Sequence, residues 1–333
     1  MRQLYFLLPG LSRKFACGGL WAELKTLALA QQICPAQVVT YRQREPDTLY
    51  LTDVLKQPSL EEAIFVISWG FDVRKLAQQL DAYNLVYHAH SSGYGFRLSP
   101  RIPIITVSRN TLGYWGQRSP HALLYYLPNQ ISDQFCHRHL DREIDLLVQA
   151  RKSSTYLLNS LIPALQDHCR VRLVDTYIED LSQLFNQAKV YLYDSAEYWA
   201  QQGVSEGFGL QPLEAIACGC QVFSSINGGL SDYLDPGFNC HKIAGYSLDF
   251  DVQRILKVIR SNQSSQVSDS LLAEYRTDNI LQRLRIILRE VNEFFDSQPH
   301  QHKPIPPLTS LHLARLRGQA FWRKLQGRLR RSS

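Results

Sequence analysis

Short apolar runs of four to six residues alternate along this chain with longer segments of helical period. In the first third the runs at 3–8, 37–41, 63–68, 85–90 and 103–107 predict strands, and 20–32 and 72–82 predict helices. Further on, 144–148, 171–174, 190–193 and 221–224 predict strands, and 156–166, 178–186, 211–217 and 249–261 predict helices. A longer helix with a regular apolar stripe is expected over 271–295. Strands that are apolar throughout and separated by helices imply parallel sheets covered on both faces, an α/β chain.

The interval between Leu112 and Ile131 holds Gly113, Gly116, Pro120 and Pro128 and predicts a domain boundary. Residues 1–115 then form a first α/β domain and 116–299 a second. The stretch 300–307, with Pro304, Pro306 and Pro307, predicts a linker. From Thr309 a tail follows, predicted as an amphipathic helix: Leu311, Phe321, Trp322, Leu325 and Leu329 recur at helical spacing among arginines.

The formal charge of +6 changes meaning once it is located. No acidic residue follows Asp296, whereas the eight residues Lys303, Arg315, Arg317, Arg323, Lys324, Arg328, Arg330 and Arg331 do; without them the body carries −2. The basicity belongs to the tail and not to a nucleic-acid-binding core. Such a tail predicts contact with an anionic membrane surface, each basic residue contributing about 1 kcal/mol. A solvated arm and docking on the first domain are the alternatives. No run reaches membrane-spanning length, and the short apolar start reads as a buried strand, not a signal peptide. Seven scattered cysteines, with Cys218 and Cys220 as a lone C-x-C, predict reduced thiols in a cytoplasmic protein and no zinc site.

The densest chemistry is Glu206-Gly207-Phe208-Gly209-Leu210-Gln211-Pro212-Leu213-Glu214. It predicts a loop, a glycine turn and a helix start. Free N–H groups and the positive helix end would face an anion there, with a carboxylate on either side for hydroxyls. Gly18-Gly19, after the first strand, opens a helix where backbone can approach a ligand closely. His88 and His90 fall on one face at a strand's C-terminal end, where ligands of open α/β sheets bind. His88 also fits a hydrogen-bonded core position, and no carboxylate lies near the pair in sequence at metal-ligand spacing. Arg151-Lys152, after the strand at 144–148, can neutralise phosphate, with a solvated basic turn as the alternative.

The 206–214 pattern, continued by Cys218-Gly219-Cys220, Asn227-Gly228-Gly229 and Asp232, resembles the signature of retaining GT-B glycosyltransferases of family 4 (glycosyl transferases group 1), which use nucleotide sugars. Gln221 or Cys220 stands where that family usually has Pro, and Asp232 where it has Glu. Tyr126-Leu127-Pro128-Asn129 resembles its interdomain element, with Gln130 in place of Gly. The resemblance implies a GT-B fold, two facing Rossmann-like domains with an interdomain cleft. It implies sugar transfer from a nucleotide sugar to a glycan or lipid-linked acceptor hydroxyl, with no metal and no cofactor. It further implies that Glu206 and His90 meet the transferred sugar. Gly18, Gly19, Arg151, Lys152, Gly207, Phe208, Gly209 and Leu210 would hold the donor, Phe208 by packing, and Glu214 the ribose hydroxyls. A sugar-nucleotide epimerase of the same fold and a non-catalytic membrane-associated assembly protein are the rival readings. The expected location is cytoplasmic, at most peripheral on a membrane.

Overall fold

The computed structural model describes residues 1–297 apart from 59, 69, 177, 244–246, 262–264 and 266–268, together with 310, 313–315, 317 and 318. The chain divides into two compact units, Met1–Glu293 and Phe294–Ser333. The predicted linker at 300–307 and most of the basic tail lie outside the described residues; those described between 310 and 318 are helical.

The first unit contains two parallel sheets. Seven strands form the first: β1 (Gln3–Leu8), β2 (Ala36–Thr40), β3 (Leu49–Tyr50), β4 (Ala63–Ile67), β5 (Asn84–Ala89), β6 (Ile104–Thr106) and β7 (Leu124–Tyr126). Their spatial order is β3-β2-β1-β4-β5-β6-β7. Every residue of β4 and all but the first of β1 and β5 are buried, as expected of central strands covered by helices on both faces. The second sheet has five strands: β8 (Ile144–Gln149), β9 (Val171–Val174), β10 (Ala188–Tyr193), β11 (Gln221–Ser224) and β12 (His241–Lys242). Their order is β12-β11-β10-β8-β9.

Each sheet reverses direction once. In the first, β2 lies on one side of β1 and β4 on the other; in the second, β9 and β10 flank β8. Loops leaving the C-terminal ends of such strands form the usual ligand position of doubly wound sheets. The Gly18–Ala30 helix follows β1, and Arg151-Lys152 follow β8.

The predicted strands all appear, shifted by a residue or two at some ends. The interval 112–131, where the boundary is predicted, overlaps the Arg109–Arg118 helix and contains β7, the edge strand of the first sheet. Gly113 and Gly116 suggest a breaker, but Ser108 caps the helix reciprocally with Thr111, and Trp115 is fully buried. Cap and burial outweigh roughly 1 kcal/mol of helix propensity lost per glycine. The helix expected at 271–295 is two, Asp269–Ala273 and Thr277–Ser297. The break carries Tyr275 into the core against Phe208 and Tyr233, and Arg276 donates to the carbonyls of Ser132 and Phe135 at 2.9 and 2.7 Å. The Ala196–Gln202 helix is an unpredicted addition.

The long C-terminal helix returns to the first sheet. Ile280, Leu284, Ile287, Leu288 and Val291 bury one face of it. The Arg2 N–H donates to Asn292 Oδ1 at 2.9 Å, beside the start of β1.

Candidate functional site

The C-terminal ends of β5 and the loop 203–209 of the second half meet directly. The Ser205 N–H donates to Ser92 O at 3.1 Å, and Ser91 Oγ donates to Ser205 O at 2.6 Å. A Cβ on Gly207 would stand 1.6 Å from the His90 carbonyl oxygen, so only glycine permits this approach. The sequence stretches 88–93 and 203–209 are therefore one site, contributed by two sheets.

Glu206 is 6% exposed, and a single oxygen of it carries the local network. Its Oε2 accepts from Tyr193 Oη at 2.6 Å, Trp199 Nε1 at 2.7 Å and Ser195 Oγ at 3.1 Å. Lys152 Nζ stands 4.4 Å from the centre of the Trp199 ring. Trp199 thus sits between the basic loop after β8 and the carboxylate. Lys152 has φ of 72°, a left-handed conformation that costs a side-chain-bearing residue about 1–2 kcal/mol. Strain of this kind concentrates at ligand sites. Arg151 beside it is exposed.

Gly209, with φ of 75°, is the N-cap of the Leu210–Ala217 helix. It offers no side-chain cap to the first N–H groups, Leu210's among them. Phe208 is a packing residue against Tyr233 and Tyr275, as the sequence suggests. Four residues into the helix, Glu214 is 5% exposed. Among the described residues its carboxylate receives no hydrogen bond; its one ionic partner is Lys25 Nζ, 3.9 Å away. Burial pushes the Glu214 carboxyl from 4.5 up to about 7, with Lys25 pulling the other way. Gly18 and Gly19 open the helix that carries Lys25, and a Cβ on Gly18 would meet no atom within 4 Å.

The sequence reading missed Glu23. Lying on the buried face of the Gly18–Ala30 helix and 1% exposed, it holds both histidines on one oxygen. Oε2 lies 2.6 Å from His88 Nδ1 and 2.7 Å from His90 Nε2. No carboxylate lies near the pair in sequence; the partner comes from a helix more than sixty residues earlier. A signal was present: Glu23 interrupts an apolar stripe with Leu20 and Leu27. Burial opposes its charge, yet the two histidines more than offset this and bring its carboxyl down from 4.5 to about 2. Burial and neighbouring His88 push the His90 imidazole down, against the pull of Glu23.

Glu23, His88 and His90 are also, among the described residues, a set with metal-ligand atoms within 4.8 Å of one another. Zinc at 2.0–2.1 Å from tetrahedral ligands holds those ligands roughly 3.3 Å apart. Separations of 2.6 and 2.7 Å are those of charge-assisted hydrogen bonds instead. Cys218 and Cys220 are buried and free, and burial raises both thiols to about 12.

Asp232 completes the join between the halves. Its Oδ2 accepts the Arg109 N–H at 2.9 Å, at the start of the Arg109–Arg118 helix, and Tyr126 Oη at 3.2 Å. A carboxylate is favourable at that helix end.

Residues 164–268, which include Glu206, Gly209 and Glu214, match the family model described as Glycosyl transferases group 1. No curated protein matches the chain. Among solved structures, the fold is similar to a sucrose-phosphate synthase from Thermosynechococcus elongatus, with TM-score 0.60 and 14% identity over 87% of this chain and 99% of that one. It is similar to HepE of Anabaena in complex with UDP-glucose, with TM-score 0.60 and 16% identity over 87% of this chain and 100% of that one. AviGT4, a glycosyltransferase involved in avilamycin A biosynthesis, gives TM-score 0.60 and 12% identity over 90% and 99%. The architecture is GT-B, and its second half carries the segment that matches the glycosyltransferase family model. Among the described residues no helix is long and apolar enough to cross a membrane.

Proposed function

With a group 1 glycosyltransferase domain as the premise, we propose that this protein moves a sugar from a nucleotide-sugar donor to an acceptor hydroxyl of a glycan or lipid-linked glycan, with retention at the anomeric carbon. The observation that carries the reading is Glu214. It is a buried carboxylate that no donor of the described protein satisfies, four residues inside a helix whose first N–H groups have no side-chain cap. Buried carboxylates are ordinarily hydrogen-bonded. The two ribose hydroxyls of a nucleotide supply the missing donors, and its diphosphate fits the adjacent helix start.

Each part of the site then has a task. Lys152 and Arg151, at the reversal point of the second sheet, neutralise the diphosphate. Gly207, Gly209 and Leu210 place backbone N–H groups toward it. Gly18 and Gly19 leave room for the diphosphate and sugar from the opposite side. Glu206, its Oε2 filled by Tyr193, Ser195 and Trp199, turns its other oxygen to the sugar hydroxyls, and His90 borders the same sugar. The bond from the anomeric carbon to the diphosphate oxygen breaks, and a bond to the acceptor oxygen forms on the same face. The acceptor proton passes to the leaving phosphate. Charge on that leaving group is what the basic loop and helix end stabilise. No metal is assigned to the reaction, so turnover should persist in EDTA. The neighbour solved with UDP-glucose favours a uridine donor as the first trial. The basic tail from Thr309 is assigned to anionic membrane contact.

The test is a thermal-shift screen with UDP, GDP and ADP, followed by donor turnover with and without acceptor. Stabilisation by one diphosphate and acceptor-dependent release of it support the reading. Donor isomerisation without acceptor identifies an epimerase, and no nucleotide binding identifies an assembly protein.

A further inference from the structure

Among the described residues, three buried polar atoms at the junction have no partner: Glu23 Oε1, His88 Nε2 and His90 Nδ1. One belongs to each member of the same cluster, whose remaining atoms converge on Glu23 Oε2. A carboxylate oxygen accepts hydrogen bonds and cannot donate them when ionised. The two ring nitrogens that face it must therefore each carry a proton. The rings are 4.3 Å apart, centre to centre, and present different nitrogens to the same oxygen.

We infer that Glu23 is a positioning residue that locks His88 and His90 in opposite tautomers, His88 protonated at Nδ1 and His90 at Nε2. Moving either proton to the other ring nitrogen would set a lone pair against the carboxylate in a buried place. Leaving a buried polar group unmatched shifts an equilibrium roughly tenfold or more. His90 is then an acceptor through Nδ1, and a sugar hydroxyl that reaches this nitrogen must donate to it. The His90 carbonyl lies against Gly207, so the ring's orientation and the 206–209 turn are set together. Glu23 touches no proposed ligand; it acts through His90. This functional consequence rests on the transferase reading, whereas the tautomers do not.

Nitrogen NMR of ¹⁵N-histidine-labelled full-length protein reads the tautomers directly, with assignments from His88→Asn and His90→Asn. The expected result at pH 7.5 is one proton at Nδ1 of His88 and one at Nε2 of His90, each as a single tautomer. The reverse assignment, or a mixture at either ring, overturns the inference. So does stoichiometric zinc binding that removes both ring protons, since it would make the cluster an ion site. In Glu23→Leu, at least one ring should become a tautomer mixture, and donor turnover should fall at least tenfold in kcat with KM changed less than threefold. Fixed tautomers or unchanged kcat in a folded Glu23→Leu protein also overturn it. If that variant does not fold, the wild-type tautomers decide. Correct tautomers in a protein that turns over no nucleotide sugar would contradict the proposed function and leave the tautomer lock standing.

Discussion

Glu23 and Glu214 are both buried carboxylates, carried on helices that follow strands of different sheets. Their environments have opposite consequences. Two imidazole donors at 2.6 and 2.7 Å hold Glu23, and its carboxyl falls to about 2. Glu214 has only a lysine ammonium at 3.9 Å, and its carboxyl rises to about 7. Burial alone penalises both charges alike; direct donors decide the sign. In the first pocket the protein itself supplies the donors that hold the carboxylate charged, both on Oε2. The second is finished only by a ligand, which is where the nucleotide is assigned.

Mutations sharpen this contrast, and Glu206 extends it. Its Oε2 serves three donors, so Glu206→Ala strands Tyr193, Ser195 and Trp199 at once. Chemical denaturation should show a loss of about 3–5 kcal/mol, besides lost turnover. A loss under 1 kcal/mol would mean that the network is solvated. Glu23→Leu strands two donors and should cost about 2–4 kcal/mol at pH 7.5. An increase in stability would erase the difference between the two pockets.

The pH dependence of the two groups runs in opposite directions. The folded pKa of Glu23 lies below its ordinary value, so its contribution is present above pH 4.5 and is lost as pH falls toward 2. The folded pKa of Glu214 lies above its ordinary value, so the folded state binds the extra proton. Stability from this group is fully present below pH 4.5 and declines as pH rises toward 7. Each shift corresponds to about 3 kcal/mol as an upper bound. Glu214→Gln should therefore unfold at higher temperature than wild type at pH 8, and the advantage should vanish near pH 4.5. A variant less stable than wild type at pH 8 would indicate that Glu214 already has donors.

A smaller effect is expected at the basic loop. Lys152→Ala should weaken UDP about tenfold and uridine hardly at all, because the lost contact is to phosphate. Equal loss for both would assign Lys152 to holding Trp199 and Glu206, the packing role its place over the indole also allows.

The fold was legible wherever apolar runs coincided with central strands. β1 and β11 match the sequence pattern end to end, because strands buried on both faces leave no ambiguity of period; β9 also matches, although it is an edge strand with Arg172 and Leu173 exposed. β3, β7 and β12 were not legible: they have two or three residues each and lie at or near sheet edges, where half-burial leaves no run to see. The second-sheet side of the site was readable because Glu206, Gly209 and Glu214 are close in sequence. Lys25 and Glu23 were not, since tertiary approach alone brings them there; Tyr193, Ser195 and Trp199 lie 7 to 13 residues before Glu206, but no sequence pattern shows that their donors turn to its carboxylate. Glu23 left a trace as a charge on an apolar helix face, but only the fold shows which residues answer it.

The central claim is that a nucleotide completes the Glu214 pocket. Hydroxyls that donate to the carboxylate favour its charged form, so binding must expel the proton that burial retains. The direct measurement is calorimetric titration of UDP at pH 7 in two buffers of different ionisation enthalpy, on wild type and Glu214→Gln. With a carboxyl near 7 in the free protein, wild type should release about half a proton more than Glu214→Gln on binding UDP. Equal proton release by the two proteins, or no binding of UDP or of any other nucleoside diphosphate, would contradict the account.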